Sequence, residues 1–421
     1  MPISDKVNTR HDLISKLLVF YTSVAVFLFF SLSLVVPTGY SYGSVMLFLV
    51  GLFFAFKKST WQSVDRHTLW IILALAFYGI VWMAEAVVFD YGSKEFDQPF
   101  RFIAAIIALS FLMKYPPKPT FFWAGLGVGS ILTGLYSLDA VLLKDMARGQ
   151  YGYTNPIQFG NIALLMGLVA LAGLGWASQQ KRKIFWMILL IIGFLFGLMV
   201  SLLSGTRGGW IAIPFALLII YRGFSTSFCW RNVALGLSAL FLAGLFAYLQ
   251  PALGVKDRVD SAVHQVGAYY SSGEVATSVG ARLEMWRGAL IIGQENPVYG
   301  VGDGGYQERK LQLIEQGELD GFIEQFGHPH NEYLERFVKF GVVGLLALLV
   351  LYFVPLRLFL SFFNHSSSSV RGYASAGAVL CVCYIDFSLT QSFFAHNSGV
   401  MVFAFMLVIV WTMLAHSVRK V

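Results

Sequence analysis

The chain has 421 residues, of which 57% are hydrophobic, 16% aromatic and only 13% charged. An ordinary soluble domain carries about 25% charged residues, so this composition excludes that class and indicates a protein that crosses a membrane several times. The net charge of +7 is explained by the Lys and Arg that membrane proteins keep in their cytoplasmic loops. We therefore infer no nucleic-acid partner from it.

Twelve apolar segments along the chain are candidates for membrane spans. A span needs about 20 mostly apolar residues, and runs this continuously apolar favour helices over a closed barrel. The predicted fold is an all-α polytopic membrane protein with about twelve transmembrane helices. The segments are residues 17–36, 40–56, 69–89, 101–113, 120–143, 157–177, 184–203, 210–221, 233–250, 337–356, 372–394 and 398–415.

The positions of Lys and Arg predict the orientation of these spans. With the N-terminus in the cytoplasm, more than half of the 30 basic residues fall on the cytoplasmic side. We therefore expect both termini in the cytoplasm and the long polar segment on the outer side. The expected division is nine helices over residues 1–250, an outer loop domain over 251–336, and three helices over 337–421.

The outer loop domain contains three predicted helices of its own. They cover Asp257–Ser271, Ala281–Ile292 and Asp303–Gln316, and the first opens with an acidic residue suited to a helix start. Between the last two lies the glycine-rich turn Asn296–Tyr306. Glycine permits close backbone approach, either to a ligand or to a neighbouring helix, and we favour helix packing here.

Four of the eight histidines fall on the outer side: His264, His328, His330 and His396. His328 and His330 end the loop domain, directly before the next predicted span. Nearby arginines would favour the neutral imidazole, which is the form that accepts a proton. A histidine at such a junction is otherwise an ordinary surface residue, and position alone does not separate the two interpretations.

Arginines on the outer side form a second set of candidates, because a guanidinium fork suits phosphate oxygens. Arg148 lies in one loop between spans and Arg207 in another, where glycines could let backbone N–H groups join in. The alternative is that each arginine reaches lipid headgroups or pairs locally. Arg207, wedged between two apolar runs, is the arginine in the span-connecting loops for which function is most plausible.

Two further arginines, Arg282 and Arg287, share one loop helix. They are five positions apart, which is about 140° around a helix, so they do not point at the same atom. Arg282, on the face of Trp286, is expected to be nearer a ligand. Arg287 could pair with Glu284 at three-residue spacing.

Three acidic residues, Glu85, Asp139 and Asp386, fall inside predicted spans towards their outer ends. Carboxylates within a membrane are a functional signal by default, but they could equally pair with the outer arginines, and we assign them to the architecture. His328-Pro329-His330 is too sparse to be a metal-ligand set. No glycine-rich phosphate loop followed by Lys is present either.

The end of the loop domain carries a spaced motif: His330-Asn331, nine residues, Gly341, two residues and Gly344. It resembles the signature that closes the large periplasmic loop of bacterial O-antigen ligases. Upstream, Arg282 to Trp286, Asn296-Pro297 and the turn Gly300–Tyr306 look like the core of the same superfamily, which includes O-antigen polymerases and protein O-oligosaccharyltransferases. The rival pair His396-Asn397 lacks the downstream glycines.

This resemblance implies a fold like that of the C-type glycosyltransferases, in the bacterial inner membrane, with the active site facing the periplasm. The enzyme would transfer O-antigen polysaccharide from undecaprenyl pyrophosphate to lipid A-core, and it would contact membrane lipids. The reaction would invert the anomeric carbon and use no metal or other cofactor. His330 would be the general base. The implied pyrophosphate ligands are Arg207, Arg282, Arg148 and Arg287, and the implied supporting residues are Asn331, His328 and Tyr306.

Other reactions stay open at this point. An O-antigen polymerase would use the same donor, and protein-glycosylating relatives usually carry a longer C-terminal portion than this sequence. A lipid or anion transporter is the alternative from a different class. It predicts charges near mid-membrane and broken helices in paired halves, whereas the charges here crowd the outer side.

Overall fold

Every regular element in residues 3–225, 229–250 and 255–420, the part of the chain that this computed structural model describes, is a helix. The predicted all-α fold is confirmed. The helices are α1 (Ile3–Leu32), α2 (Gly39–Ala55), α3 (Arg66–Val88), α4 (Asp97–Lys114), α5 (Pro119–Leu142), α6 (Pro156–Ala172), α7 (Lys183–Leu203), α8 (Ala212–Phe224), α9 (Trp230–Leu249), α10 (Val255–Ser272), α11 (Ser278–Glu295), α12 (Gly302–Glu315), α13 (Glu332–Leu360), α14 (Ser368–Thr390) and α15 (Asn397–Arg419). Shorter helical pieces lie at Lys58–Trp61, Ser93–Phe96, Leu174–Ala177, Gly321–Gln325 and Phe393–Ala395.

Each of the twelve predicted apolar segments is mostly helical. Over the described ranges, nine helical segments are long and apolar enough to cross a membrane by length and composition. The shorter apolar helices α2 and α8 cover two more predicted segments. Helix α9 covers the one that remains, residues 233–250. The protein is therefore a multi-pass membrane protein.

The helices that lie deepest in the bundle are α6, α14 and α15. The apolar stretch of α15 is buried along its whole length, whereas most residues in the apolar stretch of α7 are not buried by other helices. Small residues allow the close crossings: Gly197 of α7 lies so near α6 that an added Cβ would stand 2.6 Å from the Ala163 carbonyl oxygen. Close approach of this kind lets dispersion contacts hold helices together in a lipid environment.

Residues 255–331 form a helical insertion between α9 and α13, and we call the end of the bundle from which it emerges the insertion end. The predicted helices of the loop domain appear as α10, α11 and α12, with boundaries that differ by up to three residues. Met285, Ala289 and Tyr306 help to form an apolar core that also takes in Val338 of α13. The insertion is therefore packed onto the bundle through α13.

The start of α13 differs from the expectation. The helix begins at Glu332, whereas the predicted span begins at residue 337. Arg336 pairs with Glu332 at 2.6 Å and Lys339 pairs with Glu335 at 2.7 Å. Judged by hydropathy alone, these four charged residues belong to a loop. Because each pair joins residues i and i+4 and neutralises their charges, the helix includes them.

The glycine-rich turn docks onto an interruption in α13. Gly341 has a φ of 65°, and an added Cβ there would stand 2.2 Å from the carbonyl oxygen of Val298. The backbone N–H of Val301 donates to Val338 at 3.0 Å, and that of Val342 donates to Pro297 at 2.7 Å. The turn thus satisfies backbone groups that the interrupted helix leaves open, and the expectation that it packs against a helix is confirmed.

Candidate active site

The segment that carries His330 is held from two sides. Asn331 is the N-cap of α13, because its Oδ1 accepts the Leu334 N–H at 3.1 Å. Its Nδ2 donates to the Leu389 carbonyl of α14 at 3.1 Å, and Trp286 of α11 donates to the Pro329 carbonyl at 2.9 Å. His330 itself has a φ of 52°, a value that non-glycine residues rarely adopt. The position of the segment that carries His330 is therefore fixed by contacts with both α11 and α14.

Gln391, at the end of α14, orients the His330 ring. The Nδ1–H of His330 donates to Gln391 Oε1, and Gln391 Nε2 donates to His396 Nε2 at 2.9 Å. Because an amide oxygen only accepts, this arrangement puts the ring proton on Nδ1 and leaves the Nε2 lone pair of His330 available. That is the tautomer a general base at Nε2 requires.

The environment keeps His330 neutral. Burial lowers the pKa of His330, and this is the largest effect. The hydrogen bond to Gln391 raises the pKa in part, the positive charge of Arg282 lowers it, and Glu335 has a smaller raising effect. The ring of His328 lies 4.4 Å from that of His330 between centroids, and burial lowers the pKa of His328 to about 4. Burial also lowers the pKa of His396. All three imidazoles are therefore in the neutral form at neutral pH.

Three arginines gather at the turn between α7 and α8. Burial lowers the pKa of Arg207 there, and so do the charges of Arg258, from α10, and Arg148. The Arg148 guanidinium lies 4.0 Å from the position that a Cβ on Gly205 would take. Like charges this close repel one another, so the cluster is suited to an anion.

Four arginines of the insertion end have no protein partner among the described residues. In the described part of the chain, no carboxylate or other hydrogen-bond partner contacts the guanidinium groups of Arg148, Arg207, Arg258 or Arg282. Burial lowers the pKa of Arg282 as well, yet arginine stays charged at neutral pH. The predicted arginines Arg148, Arg207 and Arg282 are thus free to bind an incoming anion.

The arginine turn and the histidine meet at the end of α14. Gly208, next to Arg207, lies against α14: an added Cβ would stand 2.1 Å from Thr390 Oγ1. Thr390 precedes Gln391, which holds His330. The structure therefore brings the arginine turn, Arg282 and His330 to one region of the insertion end.

Two predicted site residues lie elsewhere. Arg287 pairs with Glu284 at 3.2 Å, and Glu284 also accepts from the Tyr269 hydroxyl at 2.6 Å, inside the insertion. Tyr306 is only 1% exposed, in the apolar core of the insertion, and burial raises its pKa. Both residues serve the scaffold of the insertion, and neither contacts His330 within the described ranges.

Two residues of this region, Gln391 and Arg258, were not among the predicted site residues. Gln391 is fully buried and 61 positions from His330, and a single glutamine at the end of an apolar run gives no signal in the sequence. Arg258 is one of several charged residues near the start of the insertion and belongs to no motif. Among the described residues, no group of three or more His, Cys, Asp and Glu side chains is arranged to hold a metal ion.

The fold and this cluster define a class: a polytopic helical membrane protein with a neutral histidine beside unpaired arginines at one end. Comparison with known proteins shows which family part of the chain is similar to. Residues 192–349 match the model of the family described as O-Antigen ligase, a stretch that contains Arg207, Arg258, Arg282 and His330. A protein of Escherichia coli K12 described as O-antigen ligase is 25% identical over 238 residues, covering 53% of this chain and 54% of that protein. These matches support the O-antigen ligase superfamily.

Two other relatives extend the comparison. A protein of Haemophilus influenzae, described as uncharacterized, is 29% identical over 400 residues, which cover 91% of this chain and 96% of that protein. A probable peptidoglycan glycosyltransferase FtsW of Halorhodospira halophila is 26% identical over 198 residues, 45% of this chain and 46% of that protein. The family and these relatives support an enzyme of the ligase and polymerase superfamily.

Proposed function

We propose that this protein transfers O-antigen polysaccharide from undecaprenyl pyrophosphate to lipid A-core. The observation that carries the proposal is the group of unpaired arginines beside a neutral, oriented histidine. The similarity to the E. coli protein described as O-antigen ligase supports the choice of substrates. Donor, acceptor and residue roles are all part of the proposal.

The arginines bind the pyrophosphate of the donor. The charges of Arg148 and Arg258 act on Arg207 at the turn between α7 and α8, so a diphosphate bound among the three removes a like-charge repulsion and supplies the missing acceptors. A hydrogen bond to a charged group contributes roughly 1.5–3 kcal/mol. As the glycosidic bond to phosphate breaks, negative charge grows on the leaving pyrophosphate, and guanidinium groups already in place stabilise that charge.

His330 activates the acceptor. Its Nε2 takes the proton from an acceptor hydroxyl, the oxygen attacks the anomeric carbon, and the bond from that carbon to the pyrophosphate oxygen breaks. Attack from the face opposite the leaving group inverts the anomeric centre. The imidazolium that forms keeps its Nδ1–H bond to Gln391, and general-base catalysis of this kind typically contributes ~10²–10⁴-fold in rate.

The experiment that tests this function is reconstituted transfer. The purified full-length protein is supplied with undecaprenyl pyrophosphate-linked glycan and lipid A-core, and ligated lipid A-core is detected by its mass. A longer glycan that is still attached to undecaprenyl pyrophosphate would instead show an O-antigen polymerase. Glycan linked to neither acceptor, with lipid moved across the membrane, would support a transporter.

The role of His330 is tested in the same assay. His330→Ala is expected to abolish transfer while the protein still binds the lipid-linked glycan, because the arginines are untouched. His264→Ala is the matched control, since His264 lies exposed on α10. Near-normal transfer by His330→Ala would show that another group is the base.

The orientation is a further part of the proposal. We place the insertion end at the periplasmic face of the bacterial inner membrane and both termini in the cytoplasm, with residues 251–336 as the periplasmic domain. The excess of Lys and Arg in the opposite loops supports this. Cysteines introduced at Lys181 and Tyr299 would report it: a membrane-impermeant thiol reagent added to intact cells with a permeabilised outer membrane should label only the second.

A further inference from the structure

A cavity of about 430 Å³ opens at the insertion end beside His328. Its walls come from four parts of the chain: residues 82–98, Asp303 of α12, residues 327–340, and residues 395–397. The lining includes Trp82, Glu85, Asp303, Glu335, Arg336 and Lys339. The described residues that line it include none of the four unpaired arginines, so it differs in charge from the region we assign to pyrophosphate.

Two of the three cations in the cavity lining are already neutralised, while the third, Lys94, is exposed and has no carboxylate partner among the described residues. Arg336 pairs with Glu332 at 2.6 Å and covers the face of Trp82 at 4.1 Å. Lys339 pairs with Asp303 at 2.6 Å and with Glu335 at 2.7 Å. An anionic ligand therefore gains little here, since two of the three cations already have carboxylate partners and carboxylates outnumber cations in the lining: Glu85, Glu95, Asp97, Asp303 and Glu335.

Three polar atoms in the cavity walls lack partners. Glu85 Oε1, Glu335 Oε2 and His328 Nδ1 are buried and have no hydrogen-bond partner within the described structure. Glu85 is 9% exposed and Glu335 is 2% exposed. Buried polar atoms are almost always paired in folded proteins because leaving one unpaired costs free energy. These three lie in the lining of one cavity, which suits a ligand rich in hydrogen-bond donors.

Saccharide hydroxyls match this arrangement. Each hydroxyl donates one hydrogen bond and can accept others, and a carboxylate that accepts from a hydroxyl makes a strong bond. The cavity volume falls within the roughly 300–1,000 Å³ of small-molecule sites. A terminal sugar therefore has both the size and the chemistry that the cavity requires.

The position of the cavity connects it to the proposed reaction. The His328 ring lines the cavity and also lies 4.4 Å from the His330 ring between centroids. A sugar held beside His328 is thus adjacent to the proposed base, while the arginines that bind pyrophosphate are outside the cavity. We propose that this cavity binds the terminal sugar of the acceptor, with Glu85, Glu335 and His328 accepting hydrogen bonds from its hydroxyls. The assignment of the sugar to the acceptor rests on the proposed function.

The kinetic test uses Glu85→Gln, which keeps the shape of the side chain and removes its charge. We expect the KM for lipid A-core to rise about tenfold, as expected when one charge-assisted hydrogen bond is weakened, with the KM for the lipid-linked glycan unchanged within about twofold. Glu318→Gln, on an exposed turn, is the control and should change neither constant. Ala86→Leu, which narrows the same cavity, provides a second variant with the same expected change should Glu85→Gln fold poorly.

A binding test separates the two proposals. Core oligosaccharide without lipid A, with any amines acetylated, is titrated calorimetrically into His330→Ala protein and into the Glu85→Gln, His330→Ala double variant. Binding by the first and at least tenfold weaker binding by the second supports a saccharide site whether or not transfer is seen. Equal binding by both overturns the cavity assignment, and binding only by the oligosaccharide with free amines would identify a cation site instead. Absence of any transfer by the wild type would count against the proposed function alone.

Discussion

Two groups of basic residues at the insertion end have opposite surroundings. Arg148, Arg207, Arg258 and Arg282 have no carboxylate partner in the described structure. Arg336 and Lys339 of α13, in contrast, are buried in ion pairs of 2.6–2.7 Å. The two groups contain the same kinds of residue, so their local charge balance is what distinguishes the arginines we propose for binding from the residues we propose for structure.

The paired group is expected to support stability. In Arg336→Met the Glu332 carboxylate keeps its bond from the Phe394 N–H but loses its cation inside the bundle. Removing one partner of a buried ion pair typically costs about 3–5 kcal/mol, so we expect a large loss of thermal stability in detergent. The double variant Glu332→Gln, Arg336→Met is the control and should recover much of it, because no unpaired charge remains. A melting temperature of Arg336→Met equal to that of the wild type would contradict the structural role.

The unpaired group is expected to support binding. Arg207→Ala removes one charged hydrogen bond to pyrophosphate, worth roughly 1.5–3 kcal/mol, so the dissociation constant for lipid-linked glycan should rise about tenfold or more. Stability should stay the same or increase, because Arg148 and Arg258 lose a repelling neighbour.

Arg287→Ala is the matched control, because Arg287 is paired within the insertion. It should leave donor affinity unchanged. Equal donor affinity in Arg207→Ala and the wild type would remove the basis for the arginine cluster as a ligand site. A drop in stability of Arg207→Ala as large as that of Arg336→Met would place Arg207 in the structural group instead.

The fold could be predicted from the sequence because it depends on the length and apolarity of each segment, which are local properties. The sequence singles out His330 and Arg282 because they lie in a spaced motif and on a helical face, and the structure places Arg282 near enough to lower the pKa of His330; their roles stay predictions. The start of α13 could not, because the pairs Glu332–Arg336 and Glu335–Lys339 turn a charged segment into a buried helix only once neighbouring helices surround it.

The contacts that orient the base depend on how distant helices meet. Gln391 reaches His330 because α14 packs beside α13, and Arg258 reaches Arg207 because α10 returns towards the turn between α7 and α8. No spacing of residues along the sequence predicts either contact. The cavity beside His328 has the same origin, since its walls come from four separate parts of the sequence.

The smallest expected effect concerns the pH dependence of transfer, and it links the unpaired arginines to the base. Because the pKa of His330 is lowered from the ordinary histidine pKa of 6.5, the ring stays neutral at pH 6.5. We therefore expect kcat/KM to decline only when the pH falls below that value. Arg282→Gln removes a positive charge that lowers the His330 pKa, so the decline should move to higher pH, by up to about one unit. Arg287→Gln, whose charge is paired with Glu284, should not move it. A decline at the same pH in Arg282→Gln and the wild type would mean that the Arg282 charge does not reach the base.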